Sequence, residues 1–230
     1  MGGFILYIIK STLFLTIFYS FFMLVMRRTT FFRFNRIAFI LGTAICMVLP
    51  FMNIELPVGN AINAPIMALE SALSPEITAL PGSVITAGES PLTDIRIIDV
   101  LFIAGALISF VTTATSYAGM RRMMDTVRGT TSDGMCIKVI DKDFPSFSWG
   151  KTIVISRKDL MENPAILTHE TMHVKCGHSI DLMVYTVITT LHWFNPLIWI
   201  ARTELKMLHE YEADELTINK GIDATQYQLL

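Results

Sequence analysis

Charge is scarce in this chain, and the scarcity is uneven. Of the 230 residues, 17% are charged and 52% hydrophobic, and three long stretches hold almost no charge at all. Residues 4–26 carry only Lys10, residues 37–54 carry none, and residues 97–120 carry only Asp99. Roughly 20 apolar residues suffice to cross the hydrocarbon core of a bilayer, so each stretch is predicted to span. No basic residue precedes the first stretch and Arg27 and Arg28 follow it, which argues against a cleaved secretory leader. Cysteine is scarce too. Cys46, Cys136 and Cys176 are the three, and none lies between 55 and 96, so that segment has no disulfide framework. The same segment lacks any aromatic residue and is rich in Ala, Ser, Pro and Gly, too little bulk for a core of its own. Its "APIMALESAL" is predicted as a short amphipathic helix on the membrane surface. No internal repeat or low-complexity tract is present.

The charges that do occur orient the chain. The connection "RRTTFFRFNR" holds Arg27, Arg28, Arg33 and Arg36 with no acid, and Arg121 and Arg122 follow the third stretch. Residues 55–96 hold five acids against Arg96 alone. Basic flanks stay in the cytoplasm. The N-terminus is therefore expected outside, 55–96 as an external loop, and everything from residue 121 inside. Lys10, close to the outer end of the first span, is expected to snorkel to the interface. The predicted organisation is a membrane domain, 1–120, with spans at about 4–26, 37–54 and 97–120, and a cytoplasmic domain, 121–230.

The chemistry must lie in the second part. "CIKVI" (136–140) and "TIVIS" (152–156) read as short β-branched strands, the latter with an open edge on which an extended substrate could pair. Ser148 and Lys151 between them match S-x-x-K, but the companion motifs of that class are missing and the match is read as chance. Two helices are announced by Asn163-Pro164 and Asn195-Pro196, each an N-cap Asn before a Pro at the first helical position. The first is predicted from 164 to about 176, ending at Gly177.

On that helix stands "HETMH". His169 and His173, four apart, share a face and can converge on one ion, with Glu170 about 100° around the axis. Two neutral nitrogen ligands and a carboxylate that takes a water's proton make up H-E-x-x-H, and Zn2+ suits that donor set. Downstream, "LHEYEADEL" supplies Glu210 as third ligand and Asp214, four residues on, as the hydrogen-bond acceptor behind a ligand histidine. Glu212 is the rival third ligand, set below Glu210 because Asp214 stands at the right offset only from Glu210. An acidic solvated helix face is the plainer reading, and it suits Glu204, Glu212 and Glu215 well. His209 and Tyr211 are both candidate oxyanion donors. His192, beside Trp193, is read as a packed interfacial residue, and Cys176 as a small buried hydrophobe.

Together, "ILTHETMHVKCGHSIDL", "LHWFNPLIW" and "HEYEAD", preceded by "FPSFSWG", resemble the BlaR/MecR-type family of membrane zinc metallopeptidases. That resemblance covers essentially the whole chain. It implies a gluzincin-type fold, His169, His173 and Glu210 as zinc ligands, Glu170 as general base, and the bacterial inner (cytoplasmic) membrane. It also implies cleavage of a cytoplasmic repressor, as in the β-lactam sensors of that family. Two departures stand out. His178 occupies a position where many relatives have Asp, and with Asp181 it is similar to Bacteroidetes-like members. No penicillin-binding domain is present, and the chain stops at "YQLL" as if within a helix, so the peptidase domain is expected to be incomplete there.

The expected fold is thus mainly α and integral to the membrane: three transmembrane helices plus a cytoplasmic gluzincin-like α+β metallopeptidase domain with a small β-hairpin or sheet. The expected activity is zinc endopeptidase in regulated, site-specific proteolysis, on a cytoplasmic transcriptional repressor or on the chain itself. Partners are the lipid bilayer and a protein or peptide substrate, with no direct contact to nucleic acid. Two rivals remain: a housekeeping protease of the Ste24/HtpX kind, or a non-catalytic sensor in which zinc is a staple. Finally, 180–201 is apolar enough to span, but His173 and Glu210 flank it and must share a metal. It is therefore expected to turn back at Asn195-Pro196 as a hairpin dipping shallowly into the cytoplasmic leaflet.

Overall fold

The computed structural model describes residues 2–26, 28–52, 97–127 and 129–222. The expected external loop 55–96, its surface helix and the chain's last eight residues lie outside these. Helix α1 (Gly2–Phe21) runs on into a π-helical turn, Phe22–Met26. α2 (Phe32–Val48) ends in a 3-10 turn, Leu49–Phe51, and α3 covers Ile97–Asp125. Three stretches, Tyr7–Met26, Phe32–Phe51 and Val100–Asp125, are long and apolar enough to cross a membrane. Helix is the form such sequences must take in lipid, because it satisfies every backbone N–H and C=O internally. The hydroxyls of α3 follow the same rule: Thr112, Thr115 and Ser116 donate to the carbonyls of Ile108, Val111 and Thr112 four residues back. One boundary differs from expectation. α2 begins at Phe32 rather than near 37, so Arg33 and Arg36 lie on the helix and not in the connection before it.

Four strands follow: β1 (Gly129–Ser132), β2 (Met135–Ile140), β3 (Phe147–Trp149) and β4 (Thr152–Ser156), in the sheet order β1-β2-β4-β3. Asp133 and Gly134, both at positive φ, close the antiparallel β1–β2 hairpin with a two-residue turn. β2 and β4 pair in parallel, and β3 pairs antiparallel with the other side of β4. The "TIVIS" strand therefore has no open edge. The connection read as a loop supplies Phe147–Trp149, which turns at Gly150 (φ 60) and covers it. Ile153, Val154 and Ile155 are buried in succession, as an interior strand requires.

The remaining elements are helical: α4 (Arg157–Glu162), α5 (Pro164–Cys176), α6 (His178–Leu191) and α7 (Pro196–Ile218). α5 ends where expected, with Gly177 left-handed at φ 72. Asn195 caps α7, its Oδ1 accepting from Leu197 N–H at 3.0 Å. Asn163 precedes α5 but its side chain makes no capping bond, so Pro164 alone marks that start.

α6 and α7 form a hairpin that lies against α1 and α2. Phe22, Phe39, Tyr185, Ala201, Leu205 and Leu208 make one buried cluster, and Leu15, Met47 and Ile198 a second. At the tip, Tyr7 Oη meets His192 Nε2 at 3.0 Å, and Asn195 Nδ2 donates to Thr12 Oγ1 at 3.2 Å. Trp193 packs over Gly105 of α3, where an added Cβ would come within 2.1 Å of the indole. From Phe22 to Tyr7 is roughly 22 Å of helix at 1.5 Å per residue. The hairpin thus lies along most of α1. The turn at residues 192–195 stands as expected.

Candidate metal centre

α5 carries His169 and His173 one turn apart on its C-terminal half, with Gly177 ending the helix a turn later. α7 crosses it and brings Glu210. His169 Nε2 and His173 Nε2 lie 2.9 Å apart, and Glu210 Oε2 lies 3.3 Å from the first and 3.6 Å from the second. Ligands of a tetrahedral Zn2+ with bonds of about 2.1 Å sit roughly 3.4 Å from one another. Both Glu210 distances match that spacing and the imidazole pair is slightly closer. Two ring nitrogens facing each other and one carboxylate oxygen form a site for a cation.

The opposite ring nitrogens are held as well. His169 Nδ1 is 3.0 Å from Asp214 Oδ1. Burial disfavours a charged His169, but Asp214 and Glu210 outweigh it and raise the ring to about 9. Hydrogen bonds from the two histidines hold the Glu210 carboxyl well below its ordinary range. His173 Nδ1 is 2.7 Å from His178 Nδ1, and the far side of His178, Nε2, is 3.3 Å from Glu212 Oε2. Burial pushes His178 down to about 4, so the ring is neutral near pH 7. Arg36 Nη1 donates to Glu212 Oε2 at 2.9 Å. Burial works against the Glu212 charge, but His178 and Arg36 keep its carboxyl below the usual value. The Arg36 Nε end pairs with Asp181 at 3.2 Å as an ion pair without hydrogen-bond alignment. Asp181 also accepts from His209 Nε2 at 3.1 Å, and the His209 ring stacks on His178, 4.2 Å between centroids and 9° between planes.

The expected residues therefore divide. His169, His173, Glu210 and Asp214 come together. Glu170 is buried, 8% exposed, between the two histidines in sequence, and makes no hydrogen bond or ion pair among the described residues. Glu212 belongs to a separate group, near His178 and Cys176, rather than with the two histidines. There Arg36 pairs with its carboxylate. His209 is wholly buried and its Nε2 is taken by Asp181, which leaves it no N–H for an oxyanion from that nitrogen. Tyr211 is exposed and packs on Phe32. Sequence reasoning missed two participants. His178 stood out as a departure from the family pattern, which was the available signal. Arg36 was read only as a topological charge, because its partner Glu212 lies 176 residues away.

Residues 148–225 match the family model described as BlaR1 peptidase M56. They hold both histidines, Glu170, Glu210 and Asp214. The matched segment is similar to that family. It is about a third of the chain, and α1–α3, with Arg36, lie outside it. No curated protein matches the chain. A segment similar to the BlaR1 peptidase family thus follows three helices long and apolar enough to span a bilayer.

Proposed function

We propose that this protein is a membrane-embedded zinc endopeptidase that cuts a cytoplasmic protein, or itself, at a specific site as a step in signalling. The observation that carries the reading is the convergence of His169 Nε2, His173 Nε2 and Glu210 Oε2, with each histidine held from behind. The donor set fits Zn2+: two imidazoles and a carboxylate, with room in the preferred tetrahedron for one more group. When bound there, Zn2+ would supply a Lewis acid and make a water nucleophilic at neutral pH. His169, His173 and Glu210 hold the ion, and Asp214 and His178 fix the two rings. Glu170 accepts the proton of the attacking water and returns it to the departing amine. A zinc serving only as a staple has no use for that carboxylate, which favours the enzyme over the scaffold.

The topology we infer has the N-terminus outside and the metal centre at the cytoplasmic surface of the inner membrane, following the basic flanks. The α6–α7 hairpin lies in the bilayer beside α1. Its exposed side is apolar (Ile180, Met183, Val184, Val187, Leu191, Trp199, Ile200), while Thr189, His192 and Asn195 point inward. Apolar side out and polar side in suits lipid. The metal centre then sits level with the start of α2, where Tyr211 meets Phe32, so substrates would be taken at the membrane surface. The housekeeping alternative would require a broad chamber among more spans.

Purified protein in detergent, loaded with zinc and given a library of quenched-fluorescent peptides, tests the activity. Chelator-sensitive cleavage that vanishes in Glu170→Gln supports the reading. Cleavage by neither protein would leave the scaffold, and equal chelator-sensitive cleavage by both would remove Glu170 from the role of base. For topology, single cysteines near residues 160 and 220 in a cysteine-free background should be shielded from an impermeant thiol reagent until cells are permeabilised. Labelling near 220 from outside would dismantle the shared metal site.

A further inference from the structure

We propose that Arg36, on the second apolar helix, is a positioning residue that fixes the metal-binding tautomer of His173 through Glu212 and His178. The inference rests on the metal-site reading above and assigns a role to a residue outside the peptidase-family segment. The chain of contacts runs His173 Nδ1 to His178 Nδ1, His178 Nε2 to Glu212 Oε2, and Glu212 Oε2 to Arg36 Nη1, at 2.7, 3.3 and 2.9 Å.

A neutral imidazole has one N–H and one lone pair. Glu212, ionised beside Arg36, can only accept, so the proton of His178 sits on Nε2. That leaves His178 Nδ1 as an acceptor, and the proton of His173 must then sit on its Nδ1. His173 Nε2 is left with its lone pair aimed at His169 and Glu210, as a metal ligand requires. The reverse assignment would put a proton on His173 Nε2 and close the site. Each link has one solution, and the carboxylate at the far end selects it. Such outer partners orient a ligand and set its tautomer.

Arg36 makes the carboxylate dependable. It is 9% exposed and donates to Glu212 at 2.9 Å, while Arg33 and Lys175 line the same cavity. Its other end pairs with Asp181, which holds His209, and that ring lies flat on His178. One guanidinium thus fixes both the polarity of the relay and the plane of its middle ring. Because Arg36 rides on α2, a shift of that helix would change the ligand geometry at His173. This offers a physical route from the membrane to the metal.

The test is zinc affinity of the full chain in detergent, by competition with a chromophoric chelator, with the Co2+ absorption spectrum as a second readout. Glu212→Gln can present an amide N–H to His178 Nε2 and so favour the wrong tautomer. It and Arg36→Met should weaken zinc on the order of 10–100-fold, and Arg36→Lys should recover part of the loss. Arg36→Met leaves a buried carboxylate unpaired and can harm folding by itself. The double variant Arg36→Met/Glu212→Leu removes both charges, and should fold yet keep the affinity defect and an altered Co2+ spectrum. Wild-type affinity in that double variant, or in Glu212→Gln, would overturn the relay while leaving the metal site standing. Failure of the wild-type chain to bind zinc would overturn both.

Discussion

The α6–α7 hairpin solves the same problem differently at its two ends. Both ends bury polar groups in an apolar bundle. At the tip, Tyr7, His192, Thr12 and Asn195 pair as neutral groups, and Tyr7 Oη also donates to Met47 O at 3.3 Å. At the base, Arg36, Glu212, Asp181, His178 and His209 form an ionised network that ends on His173. Neutral hydrogen bonds satisfy the tip's side chains without a charge, and a buried charge is costly unless paired. The ionic network stands beside the metal centre, where a charged carboxylate can control a proton two residues away in space. The tip locates the hairpin. The base controls chemistry.

That contrast can be broken most sharply at the base. Glu170→Gln should lower peptide cleavage by about 10²–10⁴-fold while zinc stays bound, since only the proton transfer is removed. Zinc measured on the same sample decides the matter, and loss of the metal would make Glu170 a structural residue instead. Next comes the apolar middle that joins the two ends. Leu205 is fully buried against α1 and α2, and Leu205→Ala should cost about 2–5 kcal/mol in denaturation. A change within error would mean that the hairpin does not pack on those helices.

Asp214→Asn keeps the shape behind His169 but removes the charge, and should weaken zinc by roughly 10–100-fold in chelator competition. No effect would show His169 to be oriented by something else. The smallest effect is expected at the tip. Tyr7→Phe deletes a hydroxyl that meets His192 Nε2 and Met47 O, and should cost about 0.5–1.5 kcal/mol, with zinc affinity unchanged. A fall in affinity there would erase the distinction between the two ends.

Much of this was legible because it is local. The three apolar stretches, the end of α5 at Gly177 and the turn at Asn195-Pro196 each depend on a few neighbouring residues. So does the shared face of His169 and His173, which follows from helical periodicity. The reach from α5 to Glu210 was legible only through the offset of Asp214. The misreadings concern pairing. "TIVIS" gave no sign that residues 147–149 would cover its edge, because strand neighbours are chosen by the sheet and not by the strand. Helix α2 was expected to start later because arginine is unfavourable in an apolar run, yet Arg36 is stabilised there by two carboxylates from distant helices.

The amino-acid sequence by itself thus determined that three stretches are long and apolar enough to span a membrane and that one helix turn presents two imidazoles and a carboxylate. Composition and periodicity act over a few residues, and nothing distant can undo them. Only the tertiary structure decided that Glu212 serves His178 and Arg36, and that the hairpin follows α1 as far as Tyr7. Those outcomes depend on residues separated by up to 185 positions. Their proximity is set by how the helices pack, which no local pattern encodes.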